Sequence, residues 1–195
     1  MKTVSSTKPV TITHSSEEGL INSSQDLGWE YIVFNEYQLA PTQISYPAFP
    51  QHNLYLCLAT RPYRIHHWMG KQRYVGIYSR GDIGITPAGI ASIYRTEGND
   101  HFLQIQIERQ FLHQVAQNTD EIDASTVDLI PKFRERNPQI EQFIMMLYSD
   151  LHQGSGWGSK LYIESLSNAL AVNLLRDYSV KKTNFNLHPG GLSDS

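Results

Sequence analysis

Between Trp29 and Glu108 the apolar residues recur at every second position, and after Glu108 they recur every three to four. That switch limits the fold more than any other feature. Side chains alternate faces along a strand and return to one face at i, i+3 and i+4 along a helix. "HNLYLCLAT" sets Leu54, Leu56 and Leu58 against Tyr55, Cys57 and Ala59. "HFLQIQIE" sets Leu103, Ile105 and Ile107 against Gln104, Gln106 and Glu108. "WEYIVFNEYQLA" reads as a strand covered on both sides, whereas the three prolines of "PTQISYPAFPQ" suit a loop or a sheet edge. Gly70-Lys71 and Gly98-Asn99-Asp100 punctuate the remaining runs. About seven short strands over residues 29–108 predict an antiparallel sandwich or barrel.

Downstream, "RQFLHQVAQN" pairs Phe111 with Val115 and Leu112 with Ala116 at helical spacing. Residues 119–136 are mixed, with a break at Pro131. "NPQIEQFIMMLYSDLHQG" is a helix with Asn137 at its N-cap, Pro138 in its first turn and Gly154 at its end. Its stripe is Ile140, Phe143, Ile144, Leu147 and Leu151. After the flexible "GSGWGS", a last helix carries one stripe of Ile163, Leu166, Leu170 and Leu174 and another of Leu161, Val172 and Leu175. Strands first and helices after predict an α+β fold. The expected units are a loose Ser/Thr-rich arm (1–27), a β-barrel (28–108), a helical subdomain (109–187) and the opening of a linker (188–195).

The chain has 195 residues, 40% apolar and 18% charged, enough for one packed core. A net charge of −3 argues against these residues gripping a phosphate backbone. Cys57 is the single cysteine, so neither an internal disulfide nor a cysteine metal cluster can form. The N-terminus lacks the apolar segment of a signal peptide, and no run of ~18 apolar residues spans a membrane. The expected location is cytoplasmic. Cys57 sits among leucines as a buried hydrophobe, and Glu121, Asp123 and Glu135 read as solvated. No nucleophile turn, phosphate loop or paired-carboxylate signature is present.

"GDIGITPAG" (Gly81–Gly89) enters a strand from a glycine turn and leaves it through Pro87-x-Gly89. It resembles the second motif of the cupin barrel, a double-stranded β-helix. That motif ends in a metal-ligand histidine, and Ser92 occupies the position. His66 and His67 are adjacent rather than alternating, so on a strand they point to opposite faces and cannot share a metal. The expectation is therefore no metal and no cofactor. Aromatic residues with a few polar tips are what ligand cavities use. The candidate lining is His52, Tyr55, His66, Trp68, Arg73, Tyr74, Tyr94 and Arg95, with an ordinary core as the alternative.

"LYIESLSNALAVNLLRDYS" (Leu161–Ser179), followed by "GGLSDS" (Gly190–Ser195), resembles the segment joining the two halves of AraC-family transcription regulators. Upstream pieces agree in order: Pro50–Leu58, Gly81–Gly89, Leu103–Ala116 and Leu129–Ile140. The resemblance implies a cupin-like sensor and dimerisation half. DNA would be read by a C-terminal helix-turn-helix half lying outside this chain. The cap written into "LSDS" would then belong to a helix beyond Ser195. It further implies an unknown small-molecule effector and a homodimer. The last helix is the expected interface, through Leu161, Ile163, Leu166, Leu170, Val172, Leu174, Leu175 and Tyr178. The expected function is not enzymatic; the alternative is a small metal-dependent enzyme of the cupin type.

Overall fold

A computed structural model describes residues 11–13, 18–118, 127–153 and 159–179. Gly154, Glu121, Asp123 and the closing Gly190–Ser195 signal lie outside the described residues. The central turn at Gly70, which takes a positive φ of 54°, organises the strands. It joins β6 (Tyr63–Met69) to β7 (Gln72–Tyr78), and the chain runs away from it on both sides as one long hairpin. β5 (His52–Cys57) pairs with β8 (Ile83–Thr86). β4 (Gln43–Tyr46) pairs with β9 (Ser92–Thr96). β3 (Ile32–Leu39) pairs with β10 (Asp100–Ile107). Successive rungs fall in opposite sheets, giving the orders β4-β9-β6-β7 and β8-β5-β10-β3. This is a jelly roll, the architecture of cupins. With helices added after the strands, the chain has a cupin-like α+β fold.

Three further strands complete the sheets. β1 (Thr11–Thr13) runs parallel to β4. β2 (Leu20–Ser23) pairs with β3, and β11 (Lys132–Glu135) pairs with β8. β1 and β2 fall within the stretch expected as an arm, residues 1–27. Their short polar sequence lacks an apolar period, but partners hold β2: Asn22 donates to Glu36 at 2.8 Å and Ser23 to Asn35 at 2.7 Å. β11 lies in the stretch expected as mixed. Its Arg134 and the following Arg136 reach the buried Asp82 carboxylate at 3.0 and 2.8 Å. Strand β3 opens at Ile32 rather than Trp29, because Tyr31 takes a φ of 69° and stacks on Phe111 at 4.6 Å.

The three helices of the described residues, α1 (Arg109–Gln117), α2 (Pro138–Gln153) and α3 (Ser159–Tyr178), pack on the outer face of the six-stranded sheet. Asn137 caps α2 as expected, its Oδ1 accepting the Ile140 N–H at 3.1 Å. Leu54, Leu56, Leu103, Ile105 and Ile107 face the helices, so the leucine and isoleucine side of β5 and β10 is the helix side. The opposite side faces the second sheet rather than water. There Gln104 is buried between Asn35 and Asn53 in a ladder of amides at 3.2 Å per rung. Each buried amide finds a partner, which removes the penalty an unpaired one would carry.

The placement of α3 corrects the expected interface. Ile163, Leu166, Leu170, Leu174, Leu175 and Tyr178 are buried within this one chain, Val172 is half-buried and Leu161 is 70% exposed. The helix meets the sheet below and both α1 and α2 beside it, so its buried positions extend over more than one face. Leu175→Glu therefore tests folding rather than pairing. It places a charge in a closed core and is expected to remove the cooperative thermal transition seen by circular dichroism. Leu161→Glu is expected to stay within about 0.5 kcal/mol of the parent.

A candidate ligand cavity between the sheets

The inner faces of the two sheets enclose a cavity of about 40 Å³, measured as the space open to the centre of a water molecule. Its walls are Tyr46, Tyr55, Tyr63, Tyr78, Tyr94 and Phe102, brought together from six different strands by the jelly-roll order. The rings meet at steep angles: Tyr46 on Tyr94 at 5.7 Å and 81°, Tyr55 on Tyr94 at 5.4 Å and 58°. Such tilted contacts suit the quadrupoles of aromatic rings. Asp100 is the acidic group in the wall. It accepts a hydrogen bond from the Tyr63 hydroxyl at 2.6 Å. Thr42, Ile44 and Tyr46 are half-buried and form the rim nearest solvent.

The electrostatics follow from burial. Burial pushes Asp100 up from its ordinary 3.8 to about 6, with Tyr63 and His101 pulling in the opposite direction. The same desolvation pushes Tyr55 up to about 12 and Cys57 up to about 11, so Cys57 is a thiol and no nucleophile at neutral pH. His67, fully buried and stacked on Tyr94 at 3.9 Å, is pushed down to about 3 and stays neutral.

Of the eight residues expected to line a pocket, the cavity wall contains Tyr55 and Tyr94. Tyr74 lies on the same inner face one layer away, stacked on Phe133 at 5.9 Å. His52 belongs to the helix side: its Nδ1 accepts the Ala88 N–H at 3.1 Å, and Asp128 stands 4.0 Å away. His66, Trp68, Arg73 and Arg95 lie on the outer face of the other sheet. Arg73 covers the Trp68 ring at 5.1 Å, His66 meets Glu97 at 2.8 Å, and Arg95 stands opposite His66 in register. The correction is one of parity. On β6 the inward set is Tyr63, Ile65, His67 and Met69, all buried, so His66 and Trp68 point out. Tyr46, Tyr63, Tyr78, Phe102 and Asp100 were the missed wall residues. Extending the period of two from Ile65 finds Tyr63, whereas Tyr46, Tyr78, Phe102 and Asp100 lie on other strands. Asp100 was masked by its place in a turn signal.

The residues present do not fit the metal centre that the cupin resemblance raises. Ser92 stands where the motif has its histidine, and His66 and His67 occupy opposite faces of β6. Among the described residues no group of three or more His, Cys, Asp or Glu side chains has an arrangement that could hold a metal ion.

No family model matches the chain, and no curated protein matches it. Solved structures with a similar course include an IolB-like protein from Salmonella typhimurium LT2 (19% identity, TM-score 0.41, 50% of this chain and 40% of that one). A cupin domain of Schizosaccharomyces pombe Cnp3 is similar at 9% identity and TM-score 0.37, covering 44% and 61%. Bacillus subtilis oxalate decarboxylase is similar at 12% identity and TM-score 0.36, covering 47% and 26%. The chain spans less than two thirds of each. The fold class rests on the strand order of this chain.

A raised carboxylate has a defined pH signature. The folded state holds the Asp100 proton more tightly than the unfolded chain, so its stability is full below about 4 and declines as pH rises to about 6. The gap corresponds to about 3 kcal/mol. Asp100→Asn cannot ionise and still accepts from Tyr63. It is expected to be more stable than the parent in urea unfolding at pH 7.5, with the advantage vanishing at pH 3.5.

Proposed function

We propose that this chain is the effector-sensing and dimerisation half of an AraC-type transcription regulator, acting on DNA through a helix-turn-helix unit outside it. The observation that carries the reading is a pair of neighbours on β10. Asp100 faces the cavity, and His101 faces the helices, where it meets Glu36 at 2.8 Å. The same Glu36 carboxylate accepts from Tyr148 at 2.8 Å and contacts His152 at 3.2 Å, both on α2. A ligand that shifts β10 thus bears on the seat of α2 and, through it, on α3. It acts only by its different affinity for two such arrangements. We place the pairing surface at the exposed start of α3, Leu161 and Tyr162, beside Met145 and Met146 of α2, which line a shallow groove with Tyr162. Dimers suit DNA half-sites read at fixed spacing.

Reading the gene beyond codon 195 tests the class, and a basic pair of helix-turn-helix units is the expected result. For the chain itself, sedimentation equilibrium is expected to give a dimer, with Leu161→Glu raising the dissociation constant at least tenfold and leaving the thermal midpoint unchanged. A folded Leu161→Glu variant that pairs like the parent overturns the assigned surface. The alternative, a metal-dependent cupin enzyme, is selected by stoichiometric iron, manganese or zinc together with turnover.

A further inference from the structure

The cavity wall has a chemistry more specific than "aromatic". Four of its five tyrosine hydroxyls are engaged by the protein: Tyr63 donates to Asp100, Tyr78 to the Phe133 carbonyl, Tyr94 pairs with Thr86 at 3.2 Å and Tyr55 accepts from Gln104 at 3.4 Å. What they leave for an occupant is ring surface, negative on its face. The formal charge in the wall is also negative, since Asp100 lines it and no Lys, Arg or His does. Thr42 adds a buried Oγ1 without a hydrogen-bond partner among the described residues.

We infer that the occupant is a small protonated amine, its ammonium head boxed by Tyr46, Tyr55, Tyr63, Tyr94 and Phe102 and neutralised by Asp100, with Thr42 as a further acceptor. This rests on the sensor reading above and names the effector's class. Rings around a cation contribute attraction that grows on desolvation. An anion would be taken out of water beside a carboxylate with no counter-charge, which is strongly unfavourable. A neutral alkyl group would gain from the rings but leave Asp100 without a charge partner. The size agrees. A cavity of about 40 Å³ holds about three waters, or ~90 Å³ of liquid volume, room for about three heavy atoms, so the ammonium head and its first carbons fill it and the rest of a longer chain lies toward the rim. Half-buried Thr42, Ile44 and Tyr46 give the head a way in from the rim.

The groups facing Asp100 are Tyr63, Cys57, Tyr46, Tyr78 and, from the other side of β10, His101. Burial raises the tyrosines and Cys57, so these stay neutral across the acid range. Protonation of Asp100, centred near 6 in the empty protein, therefore opposes binding of a cation.

The test titrates the intact chain with n-butylammonium, tetramethylammonium, 1-butanol and butyrate, following the aromatic and Asp100 resonances by NMR. Saturable shifts with n-butylammonium are expected at millimolar concentration, with 1-butanol at least tenfold weaker and butyrate silent. Tetramethylammonium, lacking N–H groups, is expected between the two. Lowering the pH from 7.5 to 4.5 is expected to weaken butylammonium at least tenfold, equally in a His101→Gln control. Asp100→Asn is expected to bind butylammonium and 1-butanol alike. Should 1-butanol or butyrate match the amine in the parent, or Asp100→Asn keep the preference, the cation assignment falls while the sensing cavity stands. Cavity resonances that respond to none of the four probes overturn both.

Discussion

The central strands of the six-stranded sheet have no solvent face, and the rest of the molecule is arranged around that constraint. Helices cover one side and the second sheet covers the other, so β5 is buried along its whole length. A strand closed on both sides can carry leucine on one face and whatever the interior requires on the other. Here the interior takes amides at one end, each satisfied by its neighbour, and tyrosines with one carboxylate at the other. The five-stranded sheet is different. Its inner face joins the same interior, while its outer face leaves Val75, Ile77 and Ile93 partly in water.

Two buried carboxylates hold the layers to one another. Asp82, at the turn before β8, is met by Arg134 and Arg136 and accepts the Ser79 N–H at 2.7 Å, which ties the β11 region to the sheet edge. Glu36 does the same for α2. Burial alone would raise its pKa, but hydrogen bonds from Asn22, His101 and Tyr148 carry it below the ordinary carboxylate range. Both carboxylates stand where a helix or strand arrives from far along the chain, and each uses charge-assisted bonds to set the angle of arrival. Asp100 is the contrasting case. It has one tyrosine donor and no cation, and burial dominates its environment.

Most of the strands could be read in advance because they sit in runs whose period is unmistakable. "HNLYLCLAT" and "HFLQIQIE" divide their residues between faces just as the structure does, and Asn137-Pro138 opens α2 where expected. The short strands were not legible. β2 and β11 have four residues each, no apolar period of their own, and exist through pairing with β3 and β8. The site was half legible for a related reason. Alternation separates His66 from His67 without saying which one points inward, and it cannot say that Tyr46, Tyr63 and Phe102 meet across three different strands.

Local chemistry thus determined the order of strands and helices, the turns that separate them and the division of each strand into two faces, because period, glycine and proline act over a few residues. The assignment of those faces to helix, interior or water was decided only by the packing of two sheets and three helices against each other. That choice depends on which surfaces close together, a property of distant segments. It moved His52 to the helix side, left Trp68 and Arg73 outside, closed most of the apolar positions of α3 into the core while leaving Leu161 exposed, and brought Asp100 from a turn into the middle of a tyrosine box.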